Sequence, residues 1–110
     1  MNQTKNNKQD IILSIALLAS DRKDTIEKCL ASLTPIREAV SCELIILDTG
    51  CSPEIRGLLE KYADKLAEFQ WCNDFSKARN ATLHMAEGEW FLYLDDDEWF
   101  SDTEDLVAFF

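Results

Sequence analysis

Apolar and polar positions fall in blocks along this chain, and each block has the length of one strand or one helix. Ile11 to Leu18 is apolar almost throughout, which predicts a strand buried on both faces. Ser20-Asp21-Arg22-Lys23 follows as a polar turn. Asp24-Thr25-Ile26-Glu27 then has capping-box spacing, in which side-chain oxygens satisfy free helix N–H groups. Ile26, Leu30 and Leu33 share one face of the helix so opened, which should stop near Pro35. Glu43-Leu44-Ile45-Ile46-Leu47-Asp48 predicts a second buried strand, ending in Thr49-Gly50. Ser52-Pro53 reads as the N-cap and first position of a second helix, with Ile55, Leu58, Leu59 and Tyr62 as its stripe. Leu66 to Trp71 is a weaker strand pattern. Asn73 or Asp74 can cap a third helix from about Phe75 to Met85, closed by Gly88.

The last strand pattern, Trp90-Phe91-Leu92-Tyr93-Leu94, ends abruptly in Asp95-Asp96-Asp97-Glu98, and Ser101-x-x-Glu104 opens one more helix. Strands and helices thus alternate, which predicts an α/β fold with a doubly wound, mainly parallel, Rossmann-like sheet. Residues 1–10 read as a flexible polar segment and 11–110 as one domain. The final helix stops at its most apolar point, Phe109-Phe110, without a capping signal. The expectation is an N-terminal part of something longer, with apolar edge and helix surface that favour self-association.

Composition narrows the partners. A hydrophobic content of 46% is enough for a core, while 11 basic against 21 acidic residues give a net charge of −10. That balance argues against a nucleic-acid backbone or an anionic lipid surface. A nucleotide could bind through a cation and a few local basic groups. The polar N-terminus lacks a signal-peptide core, and no run reaches the ~20 apolar residues of a membrane span. Cys29, Cys42, Cys51 and Cys72 are scattered without a C-x-x-C, and His84 is the single histidine. Neither a zinc site nor a secreted disulfide framework fits, so reduced thiols in a cytoplasmic protein are expected. His84, late in a helix, suits the C-terminal dipole better than catalysis.

The acids sit at strand ends: Asp48 after the second, Asp95 to Glu98 after the last. In a parallel sheet both groups open into one crevice, where α/β sheets bind ligands. Adjacent carboxylates repel one another unless a cation relieves them. Asp95 and Asp97, two apart, would point to one side in extended geometry while Asp96 points away. Mg²⁺ or Mn²⁺ held by one or two carboxylates, with ligand phosphates in other positions, fits that pattern. The alternative is a solvated acidic turn before an acid-capped helix. An EF-hand fails, because counting from Asp95 puts Phe100 at the glycine position and Leu106 at the glutamate position. In Asn73-Asp74-Phe75-Ser76-Lys77-Ala78-Arg79-Asn80, Lys77 and Arg79 lie in the first turns of a helix, where an anion would relieve their conflict with the dipole. An exposed amphipathic face is the alternative there. Gly50, Gly57 and Gly88 are isolated, so no phosphate-binding glycine loop exists.

Four segments in this order and spacing resemble the inverting family 2 glycosyltransferases of GT-A type fold. They are Ser14-Ile15-Ala16-Leu17-Leu18-Ala19-Ser20-Asp21-Arg22, Glu43 to Gly50, Asp74 to Asn80, and Leu94-Asp95-Asp96-Asp97-Glu98, the last matching the family's D-x-D motif. The resemblance covers nearly all of the chain from Ile11. It implies an enzyme that transfers a sugar, hexosyl in type, from a UDP-sugar with Mn²⁺ or Mg²⁺ as cofactor. It implies further that Asp48 accepts a hydrogen bond from the uracil, that Arg79 with Lys77 approaches the nucleotide, and that Asp95 lies near the ribose. Asp97, with Asp95, would hold the cation bridging the diphosphate, and Leu18, Ala19 and Asp96 would complete the donor site. Many relatives carry Thr or Pro and then an aromatic residue where this chain has Leu18 and Ser20, which leaves only backbone contacts to the base there. The family's catalytic base lies well beyond the D-x-D motif, and nothing after Glu104 and Asp105 fills that role. The stretch is therefore expected to bind donor and turn over no substrate alone. Two other classes remain: a receiver-like signalling module, with acids after its first strand and a phosphorylatable Asp after its third, and an interaction domain whose acids only solubilise it.

Overall fold

The computed structural model describes residues 11–71 and 74–96, and the structural statements below concern those residues. β1 (Leu13–Ala19) is buried at every position, as its unbroken apolar run requires. It lies between β2 (Cys42–Asp48) and β4 (Trp90–Asp95), and β3 (Lys65–Glu68) flanks β2. All three pairings are parallel, with Leu13 opposite both Cys42 and Trp90. The order β3-β2-β1-β4 means that the chain winds outward from β1 to β3 and then returns across β1 to β4. That reversal is the topological switch point of a doubly wound sheet, where ligands bind beyond the carboxyl ends of the strands. It also excludes the receiver-like arrangement, in which β1 would lie between β2 and β3.

Helices cover both faces. On one face α1 (Ile26–Ser32), α2 (Thr34–Ala39) and α3 (Pro53–Tyr62) pack Ile26, Leu30, Ile36 and Leu59 against Ile15, Leu17, Leu44, Ile46 and Leu94. On the other, α4 (Phe75–Met85) sets Ala78 against Leu18 and Leu47, with Phe69, Trp71, Met85 and Tyr93 half-buried around them. Strand side chains alternate between the two cores, as a period of two demands. β1, β2, β4 and α4 agree with the sequence pattern, and the α4 bounds coincide with it.

Four local expectations are corrected. Pro35 does not simply end the first helix: α1 stops at Ser32, and Pro35 sits in the first turn of α2, where its missing N–H is harmless. The capping box at Asp24–Glu27 does not form, since Thr25 is the N-cap without a cap bond and its hydroxyl donates instead to the Asp96 carbonyl at 2.9 Å. β3 stops at Glu68 rather than running to Trp71. Gly88 does not close α4, whose C-cap is Ala86. A Cβ on Gly88 would come within 2.8 Å of the Ser14 backbone nitrogen, so this glycine permits β4 to enter close beside β1. The helix expected from Ser101 lies outside the described residues.

Candidate functional site

Three strand ends meet at the switch point. After β1, Asp21 adopts a left-handed conformation (φ 65°), which Asp tolerates better than most residues. Its carboxylate accepts from the Ser52 N–H and hydroxyl, both at 3.0 Å, which holds its pKa below the usual value. Ser52 is thereby used across the loop, and α3 starts with no side-chain cap bond.

After β2, Asp48 is nearly buried. Burial alone would raise its pKa, but the Cys51 N–H at 2.7 Å, the Arg56 guanidinium at 2.8 Å and the Gly50 N–H at 2.9 Å together lower it to about 2. The adjoining Cys51 thiol is pushed up to about 12 by burial, with the Asp48 carboxylate adding to the effect, so it stays protonated.

At the end of β4 come Asp95 and Asp96, the two acids of the cluster that lie among the described residues. Asp96 turns toward the β1–α1 loop. Its carboxylate, 2% exposed, accepts from the Ser20 N–H at 2.8 Å and meets Arg22 Nε at 2.9 Å. Asp95 lines a cavity of about 360 Å³ with Leu18, Ser20, Arg22, Thr49, Gly50, Trp71, Phe75 and Asp96. A second, more open hollow continues past Thr49, Gly50 and Trp71 to Asp48. Asp97, the second expected metal ligand, lies outside the described residues. Among the described residues no group of three or more potential ligands converges on a point.

Asp74 caps α4 by accepting from the N–H groups of Ser76 at 3.0 Å and Lys77 at 3.2 Å. Arg79 lies with its guanidinium 5.1 Å from the centroid of the Tyr93 ring, a cation–π contact on the α4 face. The Tyr93 hydroxyl, buried, has no hydrogen-bond partner among the described residues.

Leu18, Asp95 and Asp96 therefore share one cavity, and Asp48 stands in the hollow beside it. Lys77 and Arg79 stand on α4, outside the cavity lining. Ala19 is fully buried, and its carbonyl accepts from the Thr49 N–H at 3.1 Å and hydroxyl at 2.7 Å. Sequence reasoning did not single out Arg22, Trp71 or Phe75. The signal available was an aromatic pair flanking a polar helix start.

Comparison with known proteins agrees with this frame. The family described as glycosyl transferase family 2 matches residues 14–110. A TPR repeat-containing protein of Synechococcus elongatus is 36% identical over 86 residues, 78% of this chain and 20% of that protein. Among solved structures, S. aureus TarS residues 1–349 superpose with a TM-score of 0.70 at 23% identity, over 90% of this chain and 32% of theirs. A second S. aureus TarS structure gives 0.69 at 24% identity, over 90% of this chain and 19% of that one. The chain thus spans a third or less of each of these relatives, and the TarS likeness concerns the fold. No helix among the described residues is long and apolar enough to cross a membrane. With the match running from the first strand through the strand-end acids, the chain belongs to glycosyl transferase family 2.

Proposed function

We propose that this chain is the donor-binding portion of a metal-dependent, inverting glycosyltransferase that takes a UDP-sugar and passes the sugar to an acceptor held elsewhere in the protein. The observation that carries the reading is the pair of joined hollows at the switch point, with Asp48 in one and Asp95 in the other. A carboxylate has about four acceptor positions. Gly50, Cys51 and Arg56 occupy three on Asp48. The fourth suits an N–H on the edge of a nucleobase, and a carboxylate with its pKa near about 2 is ionised to accept it.

At the other end, the hard oxygens of Asp95 and Asp97 are the right donors for Mg²⁺ or Mn²⁺. Asp96 is committed to Ser20 and Arg22 and is not left for that task. A cation bound there would neutralise charge on the departing nucleoside diphosphate. Arg22, whose side chain is 55% exposed at the cavity, adds a positive group on the same side. Lys77 and Arg79, on α4, would serve the diphosphate or sugar rather than the base.

Calorimetric titration of UDP with and without Mn²⁺, on the wild type and on Asp95→Ala and Asp97→Ala, tests the reading. Binding should strengthen at least tenfold with Mn²⁺, about 1.4 kcal/mol, and lose that gain in both variants. Equal affinity in every condition would contradict the metal role, and no binding in any would contradict the donor site.

A further inference from the structure

The aromatic corner of the cavity has a use that neither the acids nor the basic residues explain. Trp71 and Phe75 meet edge to face, with centroids 4.9 Å apart and planes at 69°. Phe75, the first residue of α4, is 56% exposed, whereas Ala78 one turn on is buried against the sheet. A single exposed aromatic is ordinary on a protein surface. Here the exposed ring is paired with a second one, and both line the cavity that contains Asp95. Trp71 also lines the hollow that contains Asp48, so the corner stands between the two carboxylates.

The end of β1 offers the cavity no ring: it contributes Leu18, 6% exposed, and Ser20, whose N–H and hydroxyl are held by Asp96. Gly50 also lines the cavity, and a Cβ built there would have no atom within 4 Å. A planar ring laid on the corner would have an aromatic face against it, with Asp48 in the adjoining hollow and Asp95 in the same cavity.

We infer that Trp71 and Phe75 form the stacking wall for the nucleobase of the donor, so that base binding in this chain is carried by the β3–α4 side of the cavity and not by the end of β1. The inference rests on the donor-site reading above. Stacking tolerates any base, so the wall supplies affinity while Asp48 supplies the choice of base edge.

The test titrates UDP and inorganic pyrophosphate, each with Mn²⁺, into the wild-type protein and into Trp71→Leu, Trp71→Phe and Phe75→Leu. Phe75 is exposed, so Phe75→Leu leaves the core intact, and thermal melts check all three variants. The expected result is a loss of about tenfold in UDP affinity for each Leu variant, with pyrophosphate unchanged and Trp71→Phe close to wild type. UDP affinity that is unchanged in both Leu variants would overturn the stacking wall while leaving the donor site standing. An equal loss for UDP and pyrophosphate would also overturn it, because the rings would then act at the charged end. Failure of the wild type to bind UDP would remove the donor-site reading, and this inference with it.

Discussion

Glu43 at the start of β2 and Asp95 at the end of β4 occupy opposite rims of the same sheet, and their surroundings differ in kind. Glu43 is 3% exposed, and both its oxygens are taken by the protein. The Ser14 hydroxyl at 2.6 Å and the Glu87 N–H at 2.7 Å meet one oxygen, and Lys65 Nζ meets the other at 3.0 Å. Burial would raise the Glu43 pKa, but these donors outweigh it and leave it lowered. The network joins β1, β2, β3 and the loop into β4, and Gly88 closes it by donating to Ser14 Oγ at 2.8 Å. At the other rim, Asp95 keeps a face on an open cavity, and Asp48 stands in the hollow beside it. Glu43 has both oxygens engaged within the fold, whereas Asp95 borders a cavity, where the proposed donor would meet it. Asp96 shows that position alone does not decide the role. It lies at the ligand rim yet is committed to Ser20 and Arg22, tying β4 to the β1–α1 loop.

Glu43→Ala should break this contrast most severely. It removes the buried acceptor shared by the Ser14 hydroxyl and the Glu87 N–H and one of the partners of Lys65, which keeps Glu87 and the Met85 carbonyl, at a cost of about 3 kcal/mol in denaturant unfolding. UDP affinity per folded molecule should not change. Gly88→Ala comes next: its Cβ would crowd Ser14 backbone that cannot yield, costing about 2 kcal/mol by the same measurement.

Acid probes the ligand rim. Asp48 has a folded pKa of about 2 against an ordinary 3.8, a lowered value, so its contribution is complete above the ordinary pKa and is lost as pH falls toward 2. The difference corresponds to about 2 kcal/mol, and Glu43, also lowered, adds in the same direction. Denaturant midpoints from pH 7 to pH 2.5 should fall below pH 5, and Asp48→Asn should flatten part of that slope. Asp96→Asn should have the smallest effect of these, about 1 kcal/mol, since Asn keeps an acceptor for Ser20 and Arg22 is already half in water.

The sequence made legible what depends on local pattern. The apolar runs at Leu13–Ala19 and Cys42–Asp48 could be read as double-faced strands, and Asp74 as a cap, because each rests on its near neighbours. The features that were misread depend on distant ones. Thr25 gives its hydroxyl to Asp96, 71 residues away, instead of capping its own helix. Gly88 looked like a helix terminator because its contact with Ser14, 74 residues away, has no trace in local spacing. The acid cluster was legible as the end of a strand, but the commitment of Asp96 to Ser20 and Arg22 became definite only when β1 and β4 were placed side by side. The pairing of Trp71 with Phe75 was hidden for a related reason, since Trp71 was legible only as the end of a strand pattern and Phe75 only as part of the Asp74–Asn80 motif.

The most direct test measures unfolding free energy and Mn²⁺-dependent UDP affinity on the same two variants, Glu43→Gln and Asp95→Asn. Glu43→Gln should lose stability and retain affinity, while Asp95→Asn should retain stability within about 0.5 kcal/mol and lose the metal-dependent affinity. If Asp95→Asn binds UDP with Mn²⁺ as tightly as the wild type, the cavity at the ligand rim is not the donor site.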